Sequence, residues 1–220
     1  DILTQLRIPH RVVVPPSPDG EDEPRLPGEA PRDYEQRTAR DKALHAANWL
    51  AGRQGVPLQQ VLQETANTGA APHAPGSITH GQAQKNLAER AELGLYILAA
   101  DTTVALGNDI LGKPTDAEDA ARTLARLSGQ THHVYTAVAV YHHGHIAEAM
   151  STSVVRFKPL SDDEISAYCA TGEPIGKAGS YGIQGPAAAF VEYMEGSYTG
   201  IVGLPAYETA TLLTQVGFRV

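Results

Sequence analysis

The apolar run Leu95-Tyr96-Ile97-Leu98-Ala99-Ala100 stops at Asp101-Thr102-Thr103, and this junction constrains the chain more than any other stretch. Six residues of this kind predict a buried strand. A carboxylate at the end of such a strand is costly to desolvate unless it faces a cleft, where a metal ion, a cationic side chain or water can pair with it. Ten residues further, Leu111-Gly112-Lys113-Pro114 follows the turn-forming Gly107-Asn108-Asp109. A hairpin there would return Lys113 to the Asp101 end of the strand. An acid and a cation held together at a sheet edge suit phosphate chemistry. They would serve equally as a structural ion pair, and these two segments alone leave both readings open.

With 220 residues and 42% hydrophobic content, the chain is long enough to bury a core as one domain, or as two lobes sharing a cleft. The net charge of −8 excludes a basic surface for non-specific nucleic-acid binding, but not a pocket in which a few cations are focused on a nucleotide. Cys169 is the single cysteine, so an intramolecular disulfide is excluded and a reducing compartment fits. No apolar run has the length of a membrane span, and no signal peptide is visible. The expectation is a soluble cytoplasmic protein with no membrane or nucleic-acid partner.

Along the chain, residues 1–6 predict the tail of a helix and 11–14 a short strand. The Pro-, Gly- and acid-rich stretch 15–31 predicts a loop. Residues 32–50 predict a helix with Tyr34, Leu44, Ala47 and Leu50 among its inward positions. Residues 52–94 differ in composition, being rich in Gln, Ala, Gly and His, with a polar helix expected over 80–92. Beyond the Asp101 strand, 116–127 predicts a helix with Asp116 as N-cap and Gly129 as its stop. A hairpin of strands 133–141 and 147–157 turns at His142-His143-Gly144-His145. Ser161 and Glu164 form a capping box for a helix to about residue 170. A strand over 187–193 and a helix opened by Pro205 complete the order. The fold class expected is α/β, with a mixed, twisted sheet flanked by helices. The chain is expected to form one domain over 1–220, with 52–94 as a surface insertion.

Several segments together resemble one family. They are Arg37-Thr38-Ala39-Arg40-Asp41-Lys42-Ala43, Ala100-Asp101-Thr102 with Leu111-Gly112-Lys113-Pro114, and Arg126-Leu127-Ser128-Gly129 with Thr131-His132. To these are added Gly172-Glu173-Pro174, Lys177-Ala178-Gly179 and Tyr181-Gly182-Ile183-Gln184-Gly185, then Gly196-Ser197-Tyr198 and Val202-Gly203-Leu204-Pro205. In this order they resemble the Maf family, the house-cleaning nucleoside triphosphate pyrophosphatases also called septum formation inhibitors. The resemblance implies two lobes around a nucleotide cleft in a Maf/Ham1-like fold, a Mg²⁺ or Mn²⁺ cofactor, and a homodimer. It also implies hydrolysis of a nucleoside triphosphate to the monophosphate and pyrophosphate. The family's connection near 52–94 is much shorter, hence the insertion. Its role is open: a lid, a partner site or neither.

Such a hydrolysis needs an activated water, charge neutralisation on phosphate oxygens and a divalent ion. Asp101 is the residue expected to orient or deprotonate water or to bind the metal. Glu23 resembles an acid of the family's D-E-T loop and is the second metal-ligand candidate, although Glu21, Asp22 and Glu23 also read as a solvated charge run. Lys42, Lys113 and Lys177 are the candidate phosphate cations. Arg37 is a substrate-binding candidate that lies off the Lys42 helical face and would alternatively brace the fold. Gln184, between Gly182 and Gly185, carries both a donor and an acceptor and can match a pyrimidine edge. In the family a glutamate at this position marks a 7-methyl-GTP branch, so Gln184 resembles the dTTP/UTP branch. Thr131 with His132, and Thr136, match that branch too and equally suit ordinary strands; Thr102 and Thr131 are further substrate-binding candidates.

Ser128 lacks a nucleophile elbow and reads as a helix cap. His142, His143 and His145 read as a hydrated turn before a transition-metal site, and Cys169 as core. The family's S-x-S-P-R-R phosphate loop has no counterpart, neither serine nor arginines, and the expectation is that this sequence begins just after it. A non-catalytic nucleotide- or partner-binding regulator is the alternative that this difference would favour.

Overall fold

Residues 131–157 flank a two-residue turn and form the longest hairpin among the described residues. In the computed structural model, which describes residues 2–16, 24–52 and 94–220, β3 (Thr131–His142) and β4 (His145–Phe157) pair antiparallel from Thr131↔Arg156 to His142↔His145. His143 and Gly144 take the positive φ values, 46° and 81°, that a two-residue hairpin turn requires. β1 (Ile97–Leu106) lies along the other edge of β3, from Ile97↔Tyr141 to Ala105↔His133. β2 (Asp109–Leu111) folds back on the far end of β1, and β5 (Val191–Glu195) closes the opposite edge against β4. The strand order is β2-β1-β3-β4-β5. The α/β class is as expected. The four pairings among the described residues are all antiparallel, where a mixture of directions was expected.

Helices cover the sheet. α1 (Ile2–Gln5) is a single turn, and α2 (Pro31–Ala51) opens on a proline whose fixed φ suits a first helical turn. Ala39, Ala43 and Ala47 lie at most 1% exposed on the inner face of α2, and Ala39 and Ala43 cluster with Ala137 and Ala139 of β3. Small side chains on both sides let this helix sit close to the sheet. α3 (Ala117–Leu127) and α4 (Asp162–Ala170) start as expected, with Asp116 accepting from Asp119 N at 2.8 Å and a capping box at Ser161 and Glu164. Ser128 accepts from Leu160 N at 2.7 Å, which makes it a structural cap. The fully buried Leu124, Leu127, Val155 and Phe157 anchor the main core. Each such side chain stabilises the fold by about 1.5–3 kcal/mol through burial. α5 (Tyr198–Val202) and α6 (Ala206–Gln215) complete the chain.

Three expectations are corrected. The β1 strand does not end at Asp101 but runs through it to Leu106, because Thr102, Thr103 and Val104 are good strand formers paired in register with β3. Residues 11–14 form no strand, and Val12 and Val14 are exposed. The stretch expected to be strand from 187 begins as a 3₁₀ turn, Pro186–Phe190, since proline and three alanines favour it over a pleated ladder. The 52–94 segment, with its expected helix, lies almost wholly outside the described residues. Among those described, no helix is long and apolar enough to cross a membrane.

Candidate active site

β2 pairs with β1 only over Val104–Leu106, so among the described residues β1 has no strand partner on that edge from Ile97 to Thr103. A cleft of about 270 Å³ opens there, lined by Asp101, Thr102, Lys113, Lys177, Tyr181 and Gln184, with Ile183, Ile201 and Val202 as apolar wall. A second cavity of about 520 Å³ is larger, but it is walled by apolar side chains of 3–13, 95–98 and the carboxy-terminal region, away from Lys113 and Gln184. Volume favours the second; the convergence of charged and polar groups favours the first.

Alternation along β1 sends Asp101 to the face covered by α2 and Thr102 to the other. Asp101 Oδ1 meets Lys42 Nζ at 2.8 Å, and its side chain keeps 14% exposure. Thr102 Oγ1 lies 3.0 Å from Thr136 Oγ1, and Thr136 donates to Gly200 O at 2.7 Å, which fastens α5 to the sheet. Lys113, two residues past the end of β2, lines the same cleft as Asp101 and is exposed.

The far wall is the segment 177–185. Gly179 N–H donates to Gly112 O at 3.2 Å, tying this wall to the residue before Lys113. Gly185 N–H donates to Gly182 O at 3.1 Å, so Gln184 sits on a closed turn with its side chain exposed. Lys177 Nζ donates to Glu173 O at 2.6 Å while its stem lines the cleft. Behind the wall, Tyr181 is stacked edge-on against Phe157, and its hydroxyl is 2.9 Å from His132 Nε2. His132 is fully buried, and burial pushes its pKa down from 6.5 to about 4, with the nearby His133 acting the same way and a Gln130 main-chain contact opposing.

This buried imidazole makes a prediction. Its folded pKa lies below its unfolded one, so between pH 6.5 and 4 the unfolded chain binds the extra proton. The contribution is fully present above pH 6.5 and is lost as pH falls to about 4. It amounts to about 3 kcal/mol. Denaturant unfolding from pH 7 to 4 should show a shallower pH dependence in His132→Gln than in the parent protein. Parallel curves would remove His132 from the acid response.

The remaining candidates fall elsewhere. Arg37 does not line the cleft. Its Nε and Nη2 bond Glu29 at 2.7 and 2.9 Å, Nη2 also reaches Pro24 O, and this guanidinium holds the Glu29 carboxyl at about 2. Its position fits the bracing alternative. Thr131 is exposed at the start of β3, outside the cleft. Glu23 lies outside the described residues. Among the described residues no group of three or more His, Cys, Asp or Glu side chains is placed to hold a metal ion, the turn histidines included.

The family model for Maf-like protein matches residues 1–216. The chain belongs to this family. This Maf-like protein is 44% identical over 220 residues to the dTTP/UTP pyrophosphatase of Bordetella parapertussis, covering all of this chain and 88% of that one. It is 44% identical over 223 residues to the dTTP/UTP pyrophosphatase of Cupriavidus metallidurans, covering 92% of it. Over 122 residues, 56% of this chain and 59% of the relative, it is 57% identical to the dTTP/UTP pyrophosphatase of Aromatoleum aromaticum.

Sequence reasoning gave no role to Tyr181, Ile183, Ile201 or Val202, which form the apolar side of the Maf-like cleft. The signal for Tyr181 was its place in the Tyr181–Gly185 motif. Ile201 and Val202 carried none, because their approach depends on how α5 docks on Thr136.

Proposed function

We propose that this protein is a nucleoside triphosphate pyrophosphatase acting on dTTP and UTP, releasing the monophosphate and pyrophosphate. The observation that carries the reading is Asp101, paired with Lys42 at 2.8 Å, at the mouth of a cleft that also presents Lys113 and Gln184. The names of the relatives point the same way.

Asp101 is the acid that orients water or takes its proton. Lys113, exposed on the cleft wall, faces the phosphates, while Lys42 holds the Asp101 carboxylate in place and adds positive charge behind it. Both cations act on charge that grows on phosphate oxygen in the transition state. Gln184 presents an amide to the base from a turn that needs no bulky neighbour.

A single carboxylate at a partly exposed cleft fits Mg²⁺ or Mn²⁺, because such ions are commonly held by one or two carboxylates together with substrate phosphates. Asp101 is the described residue that would hold it, with Glu23 as the further candidate. When bound, the ion neutralises phosphate charge and aligns the reacting oxygens.

The test is pyrophosphate release from dTTP, UTP, CTP, 7-methyl-GTP and ITP with Mg²⁺ or Mn²⁺. Release concentrated on dTTP and UTP is expected. Gln184→Ala should lower kcat/KM for these two by about tenfold, the value of losing a paired amide contact. A folded protein that is silent across the panel would refute the reading.

A further inference from the structure

The Gly172-Glu173-Pro174 turn takes no part in the chemistry above, yet it is built into the support of the Gln184 loop. It follows directly from α4, where Thr171 donates to Tyr168 O at 2.6 Å and accepts from Glu173 N at 3.1 Å. The Glu173 carboxylate lies under the loop: a methyl group on Gly185 would come within 2.1 Å of Glu173 Oε1, and one on Gly182 within 2.9 Å. Both positions therefore exclude a side chain while Glu173 stays where it is. Tyr168 is buried, and its hydroxyl accepts from Gly182 N at 3.1 Å. The Lys177 stem also packs on Gly182, and its Nζ donates to Glu173 O at 2.6 Å. The phenol is hydrogen-bonded to the loop backbone, and the carboxylate packs against the same loop at Gly182 and Gly185.

A glutamine amide cannot by itself tell uracil from cytosine. Uracil offers a donor at N3 and an acceptor at O4, cytosine the reverse, and an amide turned by half a rotation satisfies either. Discrimination needs a loop that presents the amide in one orientation.

We propose that Glu173 and Tyr168 are positioning residues for base selection, fixing the Gly182–Gly185 turn so that Gln184 favours the uracil or thymine edge over cytosine. This rests on the pyrophosphatase reading above. Glu173→Gln keeps the shape and removes the charge, and Tyr168→Phe removes the hydroxyl that accepts from Gly182.

The experiment measures kcat and KM for UTP and CTP with the parent protein, both variants and Gln184→Ala, together with amide hydrogen exchange. Tyr168→Phe and Glu173→Gln are each expected to lower the UTP-to-CTP ratio of kcat/KM by about fivefold or more, chiefly through a higher KM for UTP. Combining Tyr168→Phe with Gln184→Ala should lower the ratio no further than Gln184→Ala alone, since both act through one amide. Exchange at 182–185 should quicken by about tenfold in Tyr168→Phe. Equal losses for UTP and CTP, with the ratio unchanged, would mean a merely structural role and overturn the inference, as would unchanged exchange. An active parent with unaltered variants overturns this inference alone. A parent inactive on both nucleotides overturns the pyrophosphatase reading and this inference with it.

Discussion

Replacing Asp101 by asparagine is expected to reduce turnover of UTP and dTTP by about 10²–10⁴-fold, the span usually lost with a positioned acid–base group. The substitution is nearly isosteric, and its amide oxygen can still accept from Lys42, which reaches Asp101 Oδ1 at 2.8 Å. β1 and α2 should therefore keep their positions, and nucleotide affinity should change by no more than a few-fold because Lys113 and Gln184 are untouched. Pyrophosphate release at saturating UTP, paired with equilibrium binding of a non-hydrolysable analogue, separates the two effects. Parent-like turnover would remove Asp101 from the chemistry and leave the Lys42 contact as a structural ion pair.

Gly179→Ala should give the largest loss of stability of any single methyl addition at the site. Gly179 has φ of 66°, and a methyl group built there would lie 2.8 Å from three side-chain carbons of Val104. Val104 is 3% exposed within β1, paired with both β3 and β2, and has no room to retreat. A left-handed backbone penalty and overpacking together predict a loss of about 2–4 kcal/mol. That corresponds to a fall in Tm of about 5–15 °C for a chain of this size. The same contact holds the Gly179–Gly112 hydrogen bond next to Lys113, so activity should fall with it. Calorimetry on parent and variant measures the shift; a Tm within a degree or two would mean that the 177–185 wall is not braced by β1.

The local elements were legible where the residues themselves fix the backbone. The capping box at Ser161 and Glu164, the Asp116 cap and the turn before His145 all form as read, because each is completed within a few residues. Where a prediction depended on a partner far along the chain, it failed or stayed blank. The β1 strand passes through Asp101 because β3 pairs with it as far as Ala105, and no window around residue 101 contains β3. Residues 11–14 have the composition of a strand yet pair with none of the described residues, and 187–193 gives its first half to a 3₁₀ turn.

At the site the division is similar. The sequence by itself determined the chemical inventory: an acid at Asp101, cations at Lys42 and Lys113, an amide at Gln184, and the hairpin that returns Lys113. It determined these because motif order and turn chemistry are local properties of the chain. Tertiary structure alone decided which of them meet. It set Lys42 against Asp101 by laying the alanine face of α2 on β3, turned Arg37 away to Glu29, and left Thr131 outside the cleft. It also placed Glu173 and Tyr168 under the Gln184 loop, through contacts that no spacing announces. The physical reason is that packing acts through distance in space, and side chains from separate elements share a cleft only once the helices have docked on the sheet.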